Sequence, residues 1–584
     1  MTARELLRTA LLLVVLALAT TGCVGIPSSG PVTEAGTGVD PGVELGYYND
    51  PRPPTPGASP TEVVKGFLDA QTAIPLQTNT AEQYLTASEA ETWRHSRIVT
   101  YATASPAEGS NQVRVQLDGA SQIDARGSWL GSLPRNDQEL TFTMTREDGE
   151  WRIDDAPDAL VVPESWFGQA YRRVSLYYPD PTGSILVPEP VYVPRGDQLT
   201  TSLVEGLLQG PVGRATGIER SALPAGATVD LSVVADSQGV AEVDLTGGAG
   251  MPAEPDATLM VAQLARTLAQ DPGLTGFRVT LDGEPVTLSG GRTTFPMDEG
   301  QTLDPVAAQS TSLLFGLREG RLVLGVPGDM EVAGGPLGTA VQGVRSVAVN
   351  LTGARVAAVA GAGDALLVSD VRDPDAAVTE VLSGATDLLA PSWDHAGRIW
   401  AVDRTSGGAT VTSVRDGRRT EVTVPGITGE RVTRALVSRD GSRLVAVLDR
   451  PAGDRPAGDR IVVSRLRYDG RGRPLGGTRA RTITWDEQPR LAVLDIGWSS
   501  ATSVVVAHRL GGDLYQVRTL PVDGAPAGVA GLATTVQERP RSLVSSPRAT
   551  DPVYVVTRGG LTDALSGSRV AVEDPPVTSL TYVG

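Results

Sequence analysis

The chain has 584 residues, a formal net charge of −18, and 40% apolar and 20% charged residues. At roughly 100–200 residues per domain, that is three or four domains, each able to bury a core. The acidic balance argues against nucleic acid as a partner, because no cationic surplus is left to neutralise phosphates. A single cysteine excludes an intramolecular disulfide. Nearly all positive charge is arginine, since Lys65 is the one lysine.

Arg4 and Arg8 precede an apolar run over 10–19, followed by Thr20-Thr21-Gly22-Cys23. A basic start, a short apolar core and small residues before a cut point predict a secretory signal peptide over 1–22. About 10 apolar residues make about 15 Å of helix, half of a hydrocarbon core of about 30 Å, so the run is too short for a permanent span. Its end resembles a bacterial lipobox at Gly22 and Cys23, and departs from it at Thr20, where Leu is usual. The resemblance implies that Cys23 is the mature N-terminus, carrying an S-diacylglycerol and an N-acyl group such as palmitate. Two acyl chains anchor stably where one binds only marginally. The expected location is the outer face of the cell membrane, exported and lipid-anchored. An ordinary signal peptide with a chance cysteine and an uncleaved anchor are the alternatives.

Residues 23–58 read as a tether. Pro51, Pro53, Pro54 and Pro56 favour extended, solvated chain. Order begins at Ser59-Pro60-Thr61-Glu62, a helix start, with Val63, Val64, Phe67 and Leu68 at helical spacing. A second helix is predicted over 80–95, carrying Tyr84, Leu85 and Trp93. Strands follow at 113–117 and in a hairpin whose arms hold Leu140, Phe142 and Met144, then Trp151 and Ile153, around Asp148-Gly149. Residues 59–168 are thus a small α+β domain that resembles the cystatin-like cone roll.

A second α+β domain is predicted over 169–300. It has strands at 173–178 and 186–193, a helix over 199–208, strands at 228–234 and 240–245, a helix over 257–269 and a strand at 277–281. This order, with Leu207-Leu208-Gln209-Gly210-Pro211 and the run from Val279 to Val286 around Asp282-Gly283, resembles the GerMN domain of exported and spore-germination proteins. No enzymatic activity is attached to that domain. Trp166, Phe167, Tyr177 and Tyr178 flank the junction of the two small domains, as a recognition surface or as interdomain packing.

From about residue 310 to 584 the chain changes to short strands and polar turns. Strand, turn, strand recurs with turn glycines at Gly353, Gly397 and Gly441, 44 residues apart. Two further copies start near Asp495 and Ser542, and an insertion over 451–459 lengthens the third interval. That period predicts propeller blades. Five are visible. The strands near 311–324 and the last strand near 577–583 lack partners, and joined they make a sixth blade that hides both edges. Six blades are expected, seven being the alternative. The turns resemble those of WD-repeat and TolB-like propellers, without a WD signature.

The search for chemistry is mostly negative. His95, His395 and His508 lie in separate segments without metal-ligand spacing. No Gly-x-Ser-x-Gly, no Walker-type loop and no EF-hand pattern occurs. Asp154-Asp155 and Asp373-Pro-Asp375 read as surface acids. His395, between Asp394 and Gly397, is a rim contact or a plain turn residue. Glycoside hydrolysis needs two carboxylates that can come from anywhere in the chain, but 4% aromatics is thin for a sugar site. No cofactor, metal or catalytic residue is expected, and the protein does not read as an enzyme.

Taken in order, Cys23, the tether, the small α+β domain, the GerMN-like stretch and the terminal propeller resemble the LpqB family of actinobacterial lipoproteins. The resemblance implies an accessory role in the MtrAB two-component system. In that role the protein binds the extracytoplasmic part of the MtrB sensor kinase and bears on cell-wall homeostasis, division and sporulation. Two readings stay open beside it: a lipoprotein whose propeller binds cell-wall fragments, and a hydrolase with an acid cluster at the propeller's central channel.

Overall fold

The hydroxyl of Ser59 accepts from the Glu62 N–H while the Glu62 carboxylate accepts from the Ser59 N–H, a capping box that opens the helix Pro60–Ala70. In the computed structural model the described residues are 49–74, 76–109, 111–196, 198–211, 217–248, 250–306, 310–449, 458–483, 492–526, 531–570 and 575–584. The signal peptide and Cys23 lie outside them, as does the tether up to residue 48. Its remainder, 49–58, packs on the first domain. The Asn49 amide donates to Thr72 O at 2.8 Å, and the Tyr84 hydroxyl donates to Arg52 O at 2.9 Å. Prolines there forbid a hydrogen-bonded ladder but leave carbonyls free to accept.

Helix Pro60–Ala70 buries Val63, Val64, Phe67 and Leu68 on an antiparallel sheet of Thr103–Glu108, Gln112–Asp118, Glu139–Glu147 and Glu150–Asp155. Asp148 and Gly149 take φ of +53° and +88°, the paired positive φ that a two-residue hairpin turn requires. The single helix predicted over 80–95 is two, Asn79–Glu82 and Ala87–Thr92. Between them Leu85 bridges Ile153. The Ile153 N–H donates to Tyr84 O at 3.0 Å, and the Thr86 N–H donates to Ile153 O at 2.8 Å. Thr86 then caps the second helix at the Glu89 N–H. Apolar spacing cannot reveal a strand partner that arrives much later in the chain.

In the second domain the hairpin Tyr171–Pro179 and Leu186–Pro194 packs with helices Leu199–Leu208 and Glu254–Leu268. The second helix is the crossover between the parallel strands Val240–Thr246 and Gly276–Leu281. The strand predicted at 228–234 is two pieces, Thr228–Val229 and Val234–Ala235. From Val229 to Val234 the chain takes five steps while its partner takes three, from Leu245 to Glu242, so a bulge interrupts the ladder.

The rest is a propeller of six four-stranded sheets, the third carrying one short extra strand, Arg481–Thr482. The first strands of the first five blades are Val344–Val349, Ser392–Trp393, Val432–Val437, Val493–Ser500 and Ser542–Val544. They neighbour one another around the ring. The sixth blade is composite. Its first strand, Thr578–Thr581, comes from the C-terminus and pairs with Leu314–Arg318, which continues into Arg321–Val326 and Asp329–Val332. Gly353, Gly397 and Gly441 sit in the turns between first and second strands, at φ of +72°, +71° and +70°. A β-carbon at Gly441 would lie 3.0 Å from Asp394 Oδ2 and 3.2 Å from the Tyr468 hydroxyl, so backbone and space both demand glycine there.

Candidate functional site between the second domain and the propeller

The turns between first and second strands gather at one end of the ring, and each caps itself. Asn350 Oδ1 accepts from the N–H of Ala354 and Arg355, Asp394 Oδ1 from Ala396 and Arg398, and Ser438 Oγ from Arg443. An arginine opens the second strand in all three, Arg355, Arg398 and Arg443. Arg355 is exposed, whereas Arg398 and Arg443 are buried.

Arg443 joins the propeller to the second domain. Its guanidinium donates to Pro188 O at 2.6 Å and to Glu189 Oε1 at 2.8 Å, with Asp440 Oδ2 at 3.6 Å on the other side. Arg465 pairs with the same Glu189 and lies 3.2 Å from Glu219 Oε2. The Glu219 side chain is 1% exposed. Burial, then the Glu189 charge, pushes its pKa up to about 8, against the pull of Arg465 and Arg443. The folded protein therefore holds a proton that the unfolded chain releases near 4.5. With a raised carboxyl pKa, this contribution to stability is whole below about 4.5, falls as pH rises through the window to about 8, and is flat above it. Glu219→Gln is expected to remove that slope. Urea midpoints of variant and parent from acid to alkaline pH check it, and a pH-independent difference would contradict the bound proton.

Arg439 ties the ring together at the same end. It reaches from the third blade to Ser310 Oγ, Ser546 Oγ and, at 2.7 Å, to Val583 O of the closing strand. Burial lowers its pKa to about 10, with Asp551 opposing. Arg398 lies over the Tyr468 ring, 4.6 Å from its centroid, and donates to Asp394 Oδ2 and Gly472 O. Beside it a cavity of about 590 Å³ opens between Thr182 and Ser184 of the second domain, Thr302 and Asp304 of the segment that follows it, and Thr352, His395, Arg398, Arg415 and Arg471 of the propeller.

His395 thus stands in a cavity wall, its Nδ1 buried and without a hydrogen-bond partner among the described residues. His95 packs beside Trp93 on the first domain. His508 is buried in the fourth blade with Nε2 3.2 Å from Gln516 Oε1, its pKa lowered by burial. Among the described residues no group of three or more His, Cys, Asp or Glu is placed to hold a metal ion, and no helix is long and apolar enough to cross a membrane. Trp166 and Phe167 are packing residues. They share a buried cluster with Ile98, Trp129 and Tyr171, and Ala525 of the propeller closes it. Tyr178 lies in the second domain's core, and Tyr177 lies under Arg266. Asp154, Asp155, Asp373 and Asp375 are exposed. Glu189 and Glu219 are neighbouring acids, but arginines pair with both and the junction buries the Glu219 side chain.

Residues 53–168 match the family model described as the N-terminal domain of lipoprotein LpqB. Residues 175–287 match the model for sporulation and spore germination, and residues 320–569 the model of the LpqB β-propeller domain. The chain is 30% identical to lipoprotein LpqB of Thermobifida fusca over 493 residues, 74% of this chain and 78% of that protein. The chain belongs to the LpqB lipoprotein family. The LpqB of Streptomyces coelicolor is 27% identical over 573 residues, covering 89% of this chain and 90% of that one. These LpqB relatives are named as lipoproteins and not as enzymes, which makes the family one of exported, membrane-anchored proteins. The first GerMN domain of GerM from Bacillus subtilis is a 23% identical structural neighbour, at a TM-score of 0.18, covering 22% of this chain and 95% of that one.

Sequence reasoning passed over Glu189, Glu219, Arg398, Arg439, Arg443 and Arg465. One signal was there: Arg355, Arg398 and Arg443 hold the same place in three repeats. An arginine repeated at a strand start has a geometric job, but the repeat alone does not say which copies another domain will cover.

Proposed function

We propose that the chain is an LpqB lipoprotein anchored through acylated Cys23 on the outer face of the cell membrane. There its body binds the extracytoplasmic part of an MtrB-like sensor kinase and modulates signalling that bears on the cell wall, division and sporulation. The observation that carries this is the run of LpqB-type domains behind a lipobox-like Cys23. Two features support it. Residues 49–584 form one compact unit, so three modules approach a partner with fixed mutual geometry. An anchor confines them to the membrane that holds the kinase, which raises their effective concentration there.

The test is crosslinking of the full lipidated chain and the full kinase in one membrane, read by mass spectrometry. Crosslinks between the body and the kinase's outer domain are expected, and their absence with both proteins folded would overturn the reading. Cys23→Ala is expected to leave the melting temperature of the body unchanged, because residue 23 lies outside it. The variant should also move the protein from the membrane to the soluble fraction and weaken signalling. Full membrane retention with full signalling in that variant would refute the anchor.

A further inference from the structure

The cavity beside Arg398 is one half of a longer cleft. A second hollow of about 440 Å³ shares Arg398, Arg415, Arg471 and Gly472 with it, and adds Arg418 and Arg473. Arg415, Arg418, Arg471 and Arg473 come from the turns between third and fourth strands of the second and third blades, and Arg398 from the turn between first and second strands of the second blade. Five arginines there face two acids, in a chain whose net charge is −18. One acid, Asp469, is occupied, its carboxylate accepting from the N–H of Arg471 and Arg473. The other, Asp416, is 85% exposed and only 3.6 Å from Arg415 Nε. Arg418, Arg471 and Arg473 make no ion pair and no side-chain hydrogen bond among the described residues. Asp304, the acid of the first hollow, is paired with Arg266.

The opposite wall is hydroxylic. Thr182 and Ser184 of the second domain, Thr302 just after it and Thr352 of the first blade line it, and among the described residues no Phe, Tyr or Trp lines the cavity, its one aromatic ring being the His395 imidazole. The two walls meet at Gly472, where a β-carbon would lie 3.2 Å from Thr182 Cγ2 and 2.9 Å from Arg398 Nη2. Unpaired guanidinium groups recognise tetrahedral oxyanions through paired N–H donors. Hydroxyls suit a polyol, and the lack of Phe, Tyr or Trp faces disfavours a nucleobase. The combined size is that of a small-molecule site.

We propose that this cleft binds a phosphorylated polyol or sugar, with the phosphate between Arg415 and Arg471 and the hydroxyls toward the Thr182 wall. Neither domain makes the site alone, so ligand binding also clamps the second domain to the propeller.

The test uses the full lipidated chain in detergent, titrated by calorimetry and followed by thermal shift. Its probes are sn-glycerol 3-phosphate, a monoester, and sn-glycero-3-phosphoinositol, a diester, with glycerol and inositol as uncharged controls. Saturable binding of either phosphate probe and none of the controls is expected. Preference for the monoester points to a free phosphorylated polyol, and preference for the diester to a polymer unit or lipid headgroup. Arg415→Gln and Arg471→Gln, both at exposed side chains, should each weaken binding at least about tenfold, and the pair should abolish it. Arg539→Gln, in a separate cleft where one blade passes to the next, should change nothing. The proposal is overturned by no saturation with either probe up to about 10 mM, by equal binding of glycerol, or by binding that survives the double substitution. Kinase crosslinking is read without either probe, so this proposal and the proposed function fail separately.

Discussion

A chain ending at Pro576 is expected to lose the closed propeller. The residues removed include the first strand of the sixth blade, Thr578–Thr581, which pairs Thr581 with Phe315 and Thr578 with Leu317. They also supply Leu580, Tyr582 and Val583, all buried, at roughly 1.5–3 kcal/mol each, or about 5–9 kcal/mol together. That is comparable with the whole stability of a domain, about 5–15 kcal/mol. Ties to other blades go with them: Ser579 Oγ accepts from the Val347 N–H, the Gly584 N–H donates to Val349 O, and Arg439 donates to Val583 O. Phe315 and Leu317 would become an open sheet edge, a template for aggregation. Calorimetry and limited proteolysis check this. The truncated chain should lack the propeller's cooperative transition and be cut throughout 314–570, and an unchanged melting profile would show that the ring is not held by its last strand.

Arg443→Ala is expected to cost about 3–5 kcal/mol, because it strips a buried cation from carboxylates that stay buried. Among the described residues Asp440 Oδ2 has no hydrogen bond and depends on the nearby guanidinium, and Glu189 would keep only Arg465. The loss should concentrate at the junction, since Pro188 and Glu189 belong to the second domain's hairpin. Arg443→Met combined with Glu189→Gln removes both charges and should recover part of the stability. Denaturant midpoints of the three variants test it. If the double variant proves no more stable than Arg443→Ala, the cost does not come from the charge left on Glu189.

What the sequence determined by itself is local. Ser59 and Glu62 are three residues apart, so their capping box is readable. Asp148-Gly149 and the glycines at 353, 397 and 441 take the positive φ that their turns need. The sixth blade was legible too, because a propeller leaves no free edges and two unpaired ends had only each other. The tertiary structure decided the rest. It split the helix predicted over 80–95, since Ile153 returns to bond at Tyr84 and Thr86. It set His395, a rim contact or a plain turn residue by sequence, in a cavity wall. It gave three arginines of equal rank in the repeat different fates, with Arg355 in solvent, Arg398 on Tyr468 and Arg443 locked to Glu189. The physical reason is range. Backbone preference and apolar periodicity act over a few residues, whereas the burial and pairing of a charge depend on which distant surface covers it.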